Sequence, residues 1–144
     1  MNLLISACLM GIRCRYDGES KPLDCLEELN RRYTLIPVCP EVLGGLPTPR
    51  IPAERIGSRV LNREGGNVTS QYEEGASLAL QMAQQSGCTC ALLKERSPSC
   101  GSGTIYDGTF TGNLCSGWGV CGELLREKGI RVLGESQVQE LLKD

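Results

Sequence analysis

The stretch "CALLKERSPSCGSG" (residues 90–103) decides the fold. Its first four residues are apolar without alternation and too few for a helix, which reads as a strand covered on both faces. A buried strand in an α/β protein normally feeds a short loop and then a helix. Here Leu93 leads instead into Lys94, Glu95 and Arg96, two serines flanking a proline, and Cys100 against Gly101. In open parallel sheets, ligands bind just outside the carboxyl ends of the strands. A thiol in a cramped turn at such an end is therefore a candidate site residue.

Three further runs have the same character: "LLISA" (3–7), "TLIPV" (34–38) and "IRVL" (130–133), beside "CALLK" (90–94). Helical patterns lie between them. "PLDCLEELNRR" (22–32) puts Leu23, Leu26 and Leu29 on one face, and "SQYEEGASLALQMAQQSG" (70–87) opens with a Ser70/Glu73 capping box. "GVCGELLREKG" (119–129) ends at Gly129, and "SQVQELLKD" (136–144) has Ser136 as N-cap. The alternation predicts one α/β domain over residues 1–144, with three layers and helices on both faces of a mostly parallel four-stranded sheet. The expected strand order is 2-1-3-4, with right-handed crossovers. Residues 40–69 break the rhythm: they hold four of the seven prolines and "GG" twice. A stretch that long without strong periodicity is usually functional. One or two small hairpins are expected, at "RVLNREGGNVTS" (59–70) and at "TIYDGTFTG" (104–112), the latter turning at Asp107-Gly108.

The 144 residues carry 15 Lys+Arg against 17 Asp+Glu, a net charge of −2. That balance gives no electrostatic case for a nucleic-acid or membrane partner. The opening "MNLLISACLMGIRC" reads as a strand rather than a signal peptide, and no later run approaches membrane-spanning length. A cytoplasmic protein is expected; nothing in the sequence sets an oligomeric state.

Nine cysteines and no histidine restrict the chemistry. In a reducing compartment nine thiols point to metal binding or catalysis rather than to a disulfide framework. Without histidine there is no Ser-His or Cys-His nucleophile pair, and a general base must be Asp, Glu, Lys, Cys or Tyr. Cys8 follows the first strand, Cys39 the second, and Cys100 lies six residues beyond the end of the third. In the expected strand order all three meet at the point where strand order reverses. Zinc prefers four ligands with CxxC spacing, which is missing, whereas an iron–sulfur cluster tolerates scattered thiolates and leaves one iron open when only three are supplied. Cys25, Cys90 and Cys121 read as core packing, Cys88 and Cys115 are open, and Cys14 is either a fourth ligand or a redox partner.

Among the polar residues, Glu41 is the first choice for general base, the alternative being a helix N-terminal carboxylate. Ser97 and Ser99 can donate to a developing anion, or simply shape a Ser-Pro turn. Lys94 can neutralise a cluster or hold a substrate carbonyl. Arg15 and Asp17, like Arg50 and Glu54, can contact a polar ligand or pair with one another.

Three blocks, "SACLMGIRCRYDG", "PVCPEVLGGLPTPRIPAE" and "LLKERSPSCGSGTIYDGTFTG", together resemble a family long known only as a conserved bacterial domain, some members of which are thiouracil desulfidases. The similarity runs nearly end to end. It implies a non-redox enzyme with a 4Fe-4S cluster on Cys8, Cys39 and Cys100. The free iron would take the sulfur of a thiolated pyrimidine, and water would replace that sulfur at the ring carbon, releasing sulfide. The resemblance further implies Glu41 as acid/base, assisted by Ser97 and Ser99. Trp118 stands where it leads one to expect a smaller or acidic residue. The competing class is a non-enzymatic cysteine-based metal-binding or redox-sensing module in which Cys14 joins the other three thiols.

Overall fold

The computed structural model describes residues 1–143. Strands β1 (Asn2–Ser6), β2 (Thr34–Val38), β5 (Cys90–Leu93) and β8 (Arg131–Gly134) form a parallel sheet in the order β2-β1-β5-β8, the order expected. Side chains of a strand alternate between faces, and here both faces are apolar. Leu3, Ile5 and Leu92 pack on one side with Leu29 of helix α1 (Leu26–Arg32) and Leu141 of α5 (Gln139–Leu142). Leu4, Ala91 and Leu93 pack on the other with Ala76, Ala79 and Ala83 of α3 (Thr69–Gln85) and Leu125 of α4 (Val120–Glu127). Leu3, Leu4 and Ile5 are wholly buried, which is why the strands read as unbroken apolar runs.

The irregular region has more structure than its composition suggested. It contains a short helix α2 (Pro40–Leu43) and an antiparallel hairpin of β3 (Ala53–Ile56) and β4 (Arg59–Asn62). The first predicted hairpin is thus displaced: Arg59–Asn62 pairs backward with Ala53–Ile56, and only the Leu61–Asn67 bridge runs forward. Asn62 Oδ1 closes the forward loop by accepting from the N–H of Glu64 and Gly66. In the second, β6 (Thr104–Tyr106) pairs with β7 (Leu114–Ser116), so Asp107-Gly108 is not the turn. Asp107 Oδ1 instead accepts from Thr109, opening a longer loop.

Two predicted caps also fail. Asn67 Oδ1 accepts from the Thr69 N–H and hydroxyl, which starts α3 before Ser70 and removes the capping box. Ser136 lies inside a 3-10 turn (Glu135–Gln137), and its hydroxyl donates to Glu95. The last residue of the predicted 136–144 helix lies outside the described residues.

Helices α2 and α3 meet backbone to backbone. A Cβ on Gly75 would overlap the Pro40 carbonyl, and one on Gly44 would overlap the carbonyl of Gln71. Helix propensity alone makes Gly75→Ala stabilising by about 1 kcal/mol. The overlap outweighs it: we expect a net loss of about 1–3 kcal/mol, measured by chemical denaturation.

Candidate functional site

The three strand ends converge on one cavity of about 430 Å³. Cys8 lies in the 3-10 turn Ala7–Met10 that follows β1. Cys39 precedes Pro40, the first residue of α2, after β2. Cys100 follows the Ser97–Ser99 bend after β5. All three line the cavity, together with Cys14, Glu41, Arg50, Lys94 and Ser97.

Cys39 and Cys14 are in contact. Cys39 Sγ donates to the Cys14 carbonyl at 3.7 Å. Cys8 and Cys14 line the same cavity wall. Cys39 works to lower the Cys14 pKa, but Cys8 and burial outweigh it and push the thiol up to about 11. Cys39 is raised by Cys14, by burial and by the charge of Glu41. Burial holds Cys100 well above its ordinary value, with Cys121 adding to the shift and a hydrogen bond with Ser6 opposing it. Ligation here must therefore displace protons.

Glu41 sits at the start of α2 with three contacts, all on one oxygen. Tyr72 donates its hydroxyl to Oε2 at 2.9 Å, and Arg50 reaches the same oxygen with Nε at 3.3 Å and Nη2 at 3.1 Å. The Arg50 and Glu41 side chains keep only 5% and 13% exposure, so solvent screens this pair weakly. Burial works to lower the Arg50 pKa, but Glu41 overrides it and the net shift is upward. Burial and the same carboxylate raise the Tyr72 phenol, so its hydroxyl remains a donor.

The other predicted residues divide. Lys94 Nζ is paired with Glu135 at 2.7 Å and also reaches the Glu95 carbonyl. Arg15 lines the cavity and lies over the Tyr16 ring. Glu54 lines it too, and its Oε1 accepts from the N–H of Gly108 and Phe110, holding the loop after β6 at the cavity mouth. Asp17 stands outside the lining and accepts from Glu19 N–H. Ser99 is fully buried outside the lining, and its Oγ has no partner among the described residues. Trp118 is likewise outside the lining: Arg126 stacks on its ring, and its carbonyl accepts from Arg55. Cys90 and Cys121 are core residues, Cys25 is partly buried against the core, Cys88 is buried and Cys115 exposed.

Sequence reading missed Tyr72. The available signal was its place on the α3 face shared with Ala76 and Ala79, which buries a phenol and obliges its hydroxyl to find a partner.

Cys100 is held rigidly. Ser97 Oγ accepts from the N–H groups of Ser99 and Cys100, and Ser97 O from that of Gly101. The Pro98 carbonyl accepts from Val120 N–H and the Ser99 carbonyl from Cys121 and Gly122, satisfying amides at the start of α4 that have no partner within the helix. Arg96, at φ 67°, is one of two non-glycine residues with positive φ among the described residues.

The donor set suits a cluster of iron and sulfur. It is soft, it comes from a chain without histidine, and it is arranged around a cavity. Among the described residues no group of three or more Cys, Asp or Glu is arranged to hold a metal ion.

Comparison with known proteins agrees with this chemistry. The family model described as 2-thiouracil desulfurase matches residues 3–137. An uncharacterised Bacillus subtilis (strain 168) protein, YbbK, is 40% identical over 150 residues, which cover 97% of this chain and 99% of that relative. A solved structure of TudS, a 4Fe-4S-dependent thiouracil desulfidase, superposes with a TM-score of 0.93 at 48% identity, covering 98% of this chain and 95% of that one. By sequence and by fold, the chain belongs to the 2-thiouracil desulfurase family.

Proposed function

We propose that this protein is an iron–sulfur-dependent, non-redox desulfidase acting on a thiolated pyrimidine such as 2- or 4-thiouracil. The balance is a thiocarbonyl plus water giving a carbonyl plus hydrogen sulfide. The observation that carries this reading is the gathering of Cys8, Cys39 and Cys100, from three strand ends, around one cavity with Glu41. Family membership and the likeness to TudS support it.

When bound on those three cysteines, a 4Fe-4S cluster supplies an iron without a protein ligand, a Lewis acid for the thiocarbonyl sulfur. Glu41 removes a proton from water as its oxygen adds to the ring carbon, and returns a proton as sulfur departs. Ser97 lines the cavity, and its hydroxyl proton is available because its oxygen accepts only from N–H groups. Lys94 serves as local positive charge, tethered by Glu135. Arg15 meets the polar edge of the ring, and Asp17 acts only through the loop that carries Arg15. Arg50 reaches substrate indirectly, through Glu41, and Ser99 through the bend that carries Cys100. The cavity volume is in the range of small-molecule sites. All nine cysteines are free thiols, which suits a cytoplasmic setting.

One placement favours a second reading: Cys14 lines the same cavity as Cys8, Cys39 and Cys100, with Cys39 Sγ on its carbonyl, as a four-thiol metal or redox sensor would require. Anaerobic reconstitution separates the two. In the desulfidase, wild type and Cys14→Ser bind about four iron and four sulfide per chain, and Cys8→Ser, Cys39→Ser and Cys100→Ser lose the cluster absorption. Equal loss in Cys14→Ser selects the four-thiol sensor. A further expectation concerns the base. Glu41→Gln keeps its iron and lowers uracil formation from 2-thiouracil by about 10²–10⁴-fold; wild-type turnover by this variant removes Glu41 from the chemistry.

A further inference from the structure

We infer that Tyr72 is a positioning residue, which with Arg50 holds Glu41 by one carboxylate oxygen and leaves the other to take the proton. The inference rests on the desulfidase reading for its kinetic consequence, but its structural content stands by itself.

Three observations carry it. First, an arginine facing a carboxylate usually engages both oxygens with two parallel bonds. Arg50 instead sends Nε and Nη2 to the single oxygen Oε2, and the Tyr72 hydroxyl goes there too. Among the described residues no hydrogen bond or ion pair reaches Oε1, and Glu41 lines the cavity. A carboxylate gripped this way has one saturated oxygen and one open oxygen, as a base with a defined line of attack requires.

Second, the Tyr72 hydroxyl is not needed for packing. Tyr72 is only 2% exposed, and a phenylalanine would fill the same space with no polar atom to satisfy. Among the described residues the one hydrogen-bond partner of that hydroxyl is Glu41.

Third, the approach of the two side chains is built into the backbone. Tyr72 lies one turn before Gly75 on α3, and Glu41 directly follows Pro40 on α2. Gly75 lets the Pro40 carbonyl rest on α3, and Gly44 lets α2 end against Gln71. That interlock sets the distance between the Tyr72 hydroxyl and the carboxylate through two helices in direct contact, while Arg50 comes from the irregular chain after α2.

The test compares anaerobically reconstituted wild type with Tyr72→Phe. Iron content, cluster absorption and melting temperature are read beside kcat and KM for 2-thiouracil, and the Glu41 conformation is read in crystal structures of both proteins. In the variant we expect unchanged iron, KM within about twofold, and kcat about 10- to 100-fold lower, with the Glu41 carboxylate rotated or split between conformers. Unchanged kcat with an unmoved carboxylate overturns the inference. So does a loss of activity matched by a loss of iron, which would make Tyr72 structural. If wild type leaves 2-thiouracil untouched, the functional reading fails, and the carboxylate then decides alone: displaced in the variant it upholds the clamp, unmoved it refutes it.

Discussion

Everything in the site depends on β1 pairing in parallel with β2 on one side and β5 on the other. The chain leaves β1 toward one edge of the sheet and later returns to the opposite side, so the loops at the carboxyl ends diverge and leave a crevice. Water reaches neither face of β1, whose Leu3, Leu4 and Ile5 are fully buried. Polar chemistry therefore has only the strand ends to occupy. A one-residue slip of β1 would exchange its two buried faces and carry Cys8 to a different position against Cys39 and Cys100. Packing of the sheet and geometry of the sulfurs are in this sense one constraint.

In a chain without histidine a carboxylate is one of the few groups left for base chemistry, and Glu41 lines the same cavity as Cys8, Cys39 and Cys100. Arg50 provides the compensating charge. Its burial is offset by Glu41, and the upward shift of its pKa records which effect wins. Such a pair is sensitive from either side, since losing one partner strands the other charge in a poorly screened place. Arg50 lines the cavity while paired with Glu41. Sequence offered a ligand contact or a pair with Glu54; the guanidinium is instead engaged with Glu41, Pro47 O and Thr48 Oγ1, and Glu54 accepts from Gly108 and Phe110.

The sheet was legible because its signal is local: four unbroken apolar runs with helical patterns between them. The order followed from few allowed crossovers. The convergence of Cys8, Cys39 and Cys100 was legible for the same reason, because position after a strand is a sequence property. What escaped reading depended on distant or competing partners. Ser70 lost its capping role to Asn67, whose side chain begins the helix earlier. Arg59–Asn62 could pair forward or backward, and it pairs backward across a two-residue Gly57-Ser58 turn whose glycine has a positive φ. Tyr72 looked like one more helix residue, because its importance lies in a carboxylate 31 positions away.

The stretch after β5 shows how a protein can fix a thiol outside regular structure. A loop ordinarily leaves its carbonyls to water and its conformation loosely set. Here the carbonyls of Pro98 and Ser99 are spent on the first amides of α4, 22 and 23 residues downstream, and the Ser97 hydroxyl holds the amides of Ser99 and Cys100. Glycines at 119 and 122 are required for that contact: a Cβ on the first would overlap the Ser99 backbone, and one on the second would press on Gly101. The bend and the helix satisfy one another, so neither can move alone. Arg96 at positive φ and the unpartnered Ser99 Oγ are local costs of that arrangement. They are tolerable because the surrounding bonds over-determine the bend, and they concentrate in the segment that must present Cys100 at a fixed point on the cavity wall.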